Sequence, residues 1–336
     1  MADTATTPAP GPTVLRTPDV SFDALVGYPF EPRYAEVHAE AMPALRMHYV
    51  DHGPSDGPIV LLLHGQPTWS YTWRRTIEVL GAANLRAIAP DNIGFGRSDK
   101  PSDPTAYTFA RHVQWTSSFV DALDLHDVTL VVHDWGGPLG LSALARAPQR
   151  FARVVATNTV LHTADPELRG VLTWANHGFG RGRVVHEEAL VDYVLFCQRA
   201  PELLPSMLLY SAGGALAPEV LAAYDAPFPH PALRAGLRQM TSLIPLTRSD
   251  PGAAIGRATM RALRSWRRPF LTAYSDADPA TRGWDEVFRR AVPGATGLEH
   301  PIIEGAGHFV PEERGEELGR IVADLVAQTA GADGNR

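Results

Sequence analysis

The chain has 336 residues, 45% of them hydrophobic and 20% charged, with a net charge of −7 and a pI near 6.0. That balance belongs to a globular chain able to bury a large core. The absence of a basic block makes nucleic acid an unsuitable partner, and the single cysteine, Cys197, rules out an intrachain disulfide framework.

In chain order, residues 1–17 are rich in Pro, Thr and Ala and read as disordered. They lack the charged and apolar regions of a secretory signal, and no apolar run anywhere approaches membrane-spanning length. The expectation is a soluble, cytoplasmic protein. Leu45–Asp51 reads as a strand, with a turn over Gly53–Pro58. Ile59–Leu63 (IVLLL) is a continuous apolar run, the mark of a strand buried on both faces. A helix follows over Tyr71–Leu80, a strand over Leu85–Ala89, and then the Gly-rich loop NIGFGRSDKP. Phe109–Leu123 reads as a helix, Val128–Val132 as a strand, Gly137–Ala147 as a helix and Val154–Thr157 as a strand. From about Val160 to Leu233 the rhythm breaks into helices and Pro-rich loops. It resumes with a strand at Pro269–Tyr274, a helix at Trp284–Arg290, a strand at Pro301–Ile303 and a closing helix over Pro311–Ala327. The Arg-rich stretch 261–268 reads as a helix end. This alternation predicts an α/β fold, with a mostly parallel sheet and helices on both faces. Residues 18–159 and 234–330 would form the core, and 160–233 an inserted helical cap over the site.

The stretch VVHDWGGPLG (131–140) is a strand running into a tight turn and a helix, with Asp134 at the tip. In an open α/β sheet, ligands bind beyond the carboxyl ends of the strands. Asp134, the His64-Gly65-Gln66 segment, the pair Asp276 and Asp278, and His308 all follow strands there. The order Asp134, acid, His308 matches nucleophile, acid, histidine in the α/β-hydrolase plan, with aspartate replacing serine. Gly136 and Gly137 give the small neighbours a nucleophile turn needs; Val132 stands where a small residue is usual. The bland alternative for Asp134 is a helix N-cap.

The motifs HGQPTWSYTWRR, APDNIGFGRSDKP, LVVHDWGGPLGL and EGAGHFVPEE together resemble the haloalkane dehalogenase family, from about Leu45 to the final helix. The resemblance implies Asp134 as nucleophile, His308 as base and Asp278 as its acid partner. Position after the strand and the following proline favour Asp278 over Asp276, which would cap its loop. The resemblance also implies an oxyanion hole from the backbone N–H groups of Gln66 and Trp135, and halide binding by Trp135. HGQPTW resembles the subfamily with a second halide-binding tryptophan in the cap, for which Trp174 is the candidate. An aspartate suits this chemistry. A serine attacking an sp³ carbon would form an ether, whereas a carboxylate forms an ester that water can cleave. His64, His133, Arg97 and Ser98 read as structural, and Trp69 is open between lining a pocket and packing. There is no GxSxG, P-loop, GxGxxG or HExxH motif and no metal-ligand spacing, so no cofactor or metal is expected.

The implied partners are a halogenated small molecule and a halide ion, with the protein a monomer or small homo-oligomer. An epoxide hydrolase is the nearest alternative. It would use the same ester and two tyrosines from among Tyr193, Tyr210 and Tyr224. A fluoroacetate-type dehalogenase fits less well, because Trp135 stands where an arginine is expected. A non-catalytic receptor on the same fold is the alternative from another class.

Overall fold

The computed structural model describes residues 13–165, 186–211 and 216–330. Seven strands form one sheet: β1 Arg33–Val37, β2 Leu45–His52, β3 Ile59–Leu63, β4 Arg86–Pro90, β5 Val128–Asp134, β6 Phe151–Thr159 and β7 Phe270–Thr272. Their order across the sheet is β1-β2-β4-β3-β5-β6-β7. The run from β4 to β7 is parallel, while β1–β2 and β2–β4 pair antiparallel at one edge. Among the described residues the helices are α1 Arg74–Ala82, α2 Phe109–Ala122, α3 Gly136–Arg146, α4 His186–Arg199, α5 Pro205–Ser211, α6 Pro218–Asp225, α7 Ala235–Met240, α8 Pro251–Leu263, α9 Trp284–Ala291, α10 Val310–Glu313 and α11 Gly315–Thr329.

The central strands are apolar throughout because the two-residue pleat sends neighbours to opposite cores. In β3, Val60 and Leu62 pack with Val131 and Val155, with Ile77 and Leu80 of α1, and with Leu318 and Val322 of α11. Leu61 and Leu63 face the other way. They join Leu130, Val132 and Val154, with Trp115 and Phe119 of α2 and Leu141 and Leu144 of α3. A third cluster lies at the carboxyl ends of the strands. There Trp135 and Leu139 meet Cys197, Leu203 and Phe228 from the helical stretch that interrupts the α/β rhythm, and Leu237 of α7 just after it. The Asp134 turn therefore sits between the sheet and those helices.

The structure departs from the sequence reading at three places. The chain is ordered before Thr17: Val14–Leu15 pairs antiparallel with Lys100–Pro101, and Arg16 Nε donates to Asp99 Oδ1 at 2.6 Å. A composition argument cannot see one guanidinium meeting one buried carboxylate 83 residues away. The edge strand β1 escaped the reading because its sequence, RYAEV, is half polar and its partner lies on one side only. The closing helix is two helices, α10 and α11, broken where Arg314 leaves helical geometry at φ −138° and ψ 36°.

A buried ion pair ties α1 to α10. Arg74 reaches both oxygens of Glu312, at 2.5 and 2.7 Å, and Tyr224 of α6 donates a third hydrogen bond at 2.6 Å. Both charged side chains are almost wholly enclosed. Removing one partner of such a pair strands the other charge in the interior and costs about 3–5 kcal/mol. Glu312→Ala is expected to destabilise the protein by roughly that much in urea unfolding. A loss of a few tenths of a kcal/mol would mean that the pair is solvated.

Candidate active site

Asp134 ends β5 with a φ of +49°, the left-handed region that non-glycine residues seldom occupy. The turn tolerates this because its surroundings are fixed. The Asp134 carbonyl accepts from Thr159 Oγ1 at 2.6 Å. A side chain at Gly137 would place its Cβ 1.8 Å from that same Thr159 Oγ1. Val132 fits where a smaller residue is usual because Gly140 stands opposite, where a Cβ would come within 2.9 Å of Val132 Cγ1.

The loop after β3 approaches the carboxylate from the other side. The Gln66 backbone N–H donates to Asp134 Oδ1 at 2.7 Å. Gly65 allows this approach, since a Cβ there would lie 2.1 Å from Asp134 Oδ1. The other oxygen, Asp134 Oδ2, lies 3.5 Å from His308 Nε2, and His308 Nδ1 lies 3.1 Å from Asp278 Oδ2. Asp278 is further held by the Ala280 N–H at 2.8 Å and by the Thr281 hydroxyl. The Asp134 side chain keeps 23% exposure against 2% for Asp278, so only the first is open to a reactant.

Electrostatics follow from this geometry. Burial acts to raise the Asp134 pKa, but the hydrogen bond and charge of His308, helped by His133 and the Trp135 backbone N–H, hold it below the usual carboxylate value. Asp278 is likewise held low against burial by the His308 charge, with help from Thr281 and Ala280. Burial works against a charged His308, yet Asp278 and Asp134 push its pKa up to about 10. A folded pKa above the unfolded value near 6.5 means stability that is complete below that pH and lost as the pH rises toward 10. His308→Gln is therefore expected to lower Tm relative to the parent most at about pH 6, with the gap closing by about pH 10. A gap that is constant with pH would contradict the charged triad.

The remaining sequence candidates divide clearly. Asp276 caps its loop by accepting from Gly305 N at 3.0 Å and does not bond His308. The His64 ring accepts from Asn92 N at 2.9 Å and donates to Gly65 O at 2.8 Å, which shapes the loop carrying Gln66; burial lowers its pKa. His133 points behind the site and donates from Nε2 to His308 O at 2.8 Å. Trp69 packs between Phe22, Tyr28 and Tyr71, its indole N–H bonded to Ala223 O at 3.2 Å. Arg97 and Ser98 hold the Gly-rich loop: the Arg97 N–H donates to Asp91 Oδ2 and the Ser98 hydroxyl to Asp91 O. The Trp135 ring is buried against Phe109 and His162. Trp174 lies outside the described residues. Of the three tyrosines, Tyr224 bonds Glu312 and Tyr210 is exposed. Only Tyr193 comes near Asp134, donating to Gln66 Oε1 at 2.9 Å.

Three site residues had no role in the sequence reading. Thr159 anchors the turn. Asn158 donates to Gly307 O, His308 O and Ser275 Oγ, and so holds the histidine loop. His162 lies against Trp135. A buried asparagine in the apolar run VVATNTV was a usable signal; the other two become visible only when β5 and β6 are set side by side.

Residues 58–191 match the model of the alpha/beta hydrolase fold. The haloalkane dehalogenase of Psychrobacter cryohalolentis is 41% identical over 315 residues, 93% of this chain and 98% of that one. Haloalkane dehalogenase 1 of Mycobacterium tuberculosis is 44% identical over 309 residues, 91% of this chain and 96% of that one. Among solved structures, the tetrameric haloalkane dehalogenase from Paraglaciecola agarilytica NO2 superposes with a TM-score of 0.78 at 30% identity, covering 94% of this chain and 98% of that one. With such identity over nearly its whole length, and an aspartate at the turn where a serine could not do this chemistry, the chain belongs to the haloalkane dehalogenase family of α/β-hydrolases.

Proposed function

We propose that this protein hydrolyses carbon–halogen bonds of small haloalkanes to an alcohol and a halide ion through an ester on Asp134. The observation that carries the reading is the Asp134 carboxylate itself, ionised, partly exposed and set between the Gln66 N–H and His308. Oδ1 is engaged by the Gln66 N–H, which leaves Oδ2 to attack the carbon bearing the halogen. The C–X bond breaks, its electron pair leaves with the halide, and a C–O bond forms to Asp134. No base is needed for this step, because the nucleophile is already an anion.

Ester formation then changes His308. The Asp134 charge and hydrogen bond are two of the causes that raise its pKa. Esterification removes the charge, so the imidazolium becomes easier to deprotonate once there is an ester to hydrolyse. His308 gives that proton up to solvent and, as a neutral imidazole, takes one from water, whose oxygen adds to the Asp134 carboxyl carbon. The oxyanion develops on Oδ1, facing the N–H groups of Gln66 and Trp135, where losing one such donor typically costs about 3–4 kcal/mol. Collapse expels the alcohol oxygen, which takes the proton from His308, and the proton left on the Asp134 carboxyl passes to His308, restoring the resting ion pair with one proton released per turnover. Asp278 positions the ring and stabilises its charged form. Trp135, and Trp174 from the cap over 160–233, would donate indole N–H groups to the leaving halide.

The test is bromide release from 1-bromobutane, with opening of styrene oxide followed in parallel. Bromide release supports the reading. Epoxide opening without bromide release would assign an epoxide hydrolase, for which only Tyr193 is suitably near. Silence in both assays, with tight binding of a small molecule, would indicate a receptor.

A further inference from the structure

Trp135 is not the only polar ring beside the nucleophile. β6 runs next to β5 and pairs Thr159 with Asp134. Three residues beyond Thr159, His162 turns its ring to the Trp135 indole, with ring centres 4.8 Å apart and planes inclined at 51°. The ring is 8% exposed and close enough to Asp134 to feel its charge. Its backbone is braced by α8. A Cβ at Gly256 would stand 2.2 Å from His162 O, and Arg257 Nη1 donates to Thr163 O at 3.1 Å.

His162 differs from the other buried histidines in what its nitrogens do. His48, His64 and His133 each spend a ring nitrogen on Asp91, on the oxyanion loop or on the His308 carbonyl. No hydrogen bond joins either ring nitrogen of His162 to another described residue. Nor are they named with the sealed, unpartnered polar atoms of the described residues, as His112 Nε2 is. Burial drives the pKa of this ring down to about 4, against the opposing charge of Asp134. It is therefore a neutral imidazole at neutral pH, with one N–H to donate. A neutral donor cannot lock Asp134 into a second ion pair, yet it can meet an anion arriving beside Trp135.

We infer that His162 donates a ring N–H to the departing halide alongside Trp135 and is a halide-binding residue of this chain. The inference rests on the dehalogenase reading. As the C–X bond breaks, negative charge passes from Asp134 Oδ2 to the halogen. A fixed donor on that side therefore binds the transition state more strongly than the neutral haloalkane.

The experiment compares the parent with His162→Phe, which keeps an aromatic ring against Trp135 but no donor, and His162→Gln, which keeps an N–H. His162→Leu serves if the Phe protein does not fold. Bromide binding is read from quenching of tryptophan fluorescence, and kcat/KM from 1-chlorobutane and 1-iodobutane. Removal of the donor is expected to weaken bromide binding about 10-fold or more, the scale of one hydrogen bond to a charged group. The chloroalkane should suffer more than the iodoalkane, because chloride concentrates its charge, and Gln should recover most of the loss. Unchanged bromide binding in the Phe protein, or equal loss in Phe and Gln, would overturn the inference and leave His162 as packing. A parent that neither binds bromide nor releases it would instead remove the dehalogenase reading.

Discussion

The His308→Gln protein is expected to release one equivalent of bromide from 1-bromobutane and then stop. Displacement asks only for an ionised carboxylate, and Asp134 remains one without its neighbour, since an ordinary aspartate is deprotonated at neutral pH. What disappears is the acceptor for the water proton, held 3.5 Å from Asp134 Oδ2 and oriented by Asp278 at 3.1 Å. Steady-state turnover should fall by roughly 10²–10⁴-fold, the range for a positioned general base. The burst should survive. A protein that loses the burst together with turnover would place His308 in the first step. Undiminished turnover would remove it from the reaction.

Asp134→Asn is expected to cost more, about 10⁴-fold or beyond in halide release, as removal of a covalent nucleophile does. The amide can still accept from the Gln66 N–H and can occupy the same turn, so the fold should be kept. The amide oxygen carries no charge with which to displace a halide. The substitution also withdraws an anion from His308, whose pKa should drop from about 10. A histidine titration followed by NMR checks that independently of activity. Halide release within about tenfold of the parent would exclude Asp134 as nucleophile.

The sheet was legible because β3 is the unbroken apolar run IVLLL and β5 opens with VTLVV, both with the length and β-branched content of a buried parallel strand. The positions of Asp134, Gln66, Asp278 and His308 were legible because each follows a strand at its carboxyl end, whereas their roles were legible only through the resemblance to the haloalkane dehalogenases. The structure joins the four in series, the Gln66 N–H to Asp134, Asp134 to His308 and His308 to Asp278. What stayed hidden depends on pairings distant in sequence. The Arg16–Asp99 contact, the Tyr193–Gln66 bond and the His162–Trp135 contact each join elements that no local pattern links. His162 in particular reads in sequence as one polar residue after a strand. Its significance comes from β6 lying beside β5.

The most direct test of the ester is the mass of the His308→Gln protein after exposure to 1-bromobutane, followed by digestion to locate any added group. The expected result is a gain of one butyl group on the peptide containing Asp134, matched by one released bromide. Bromide released from a protein that remains unmodified, or a butyl group carried on any other residue, would contradict Asp134 as the displacing nucleophile.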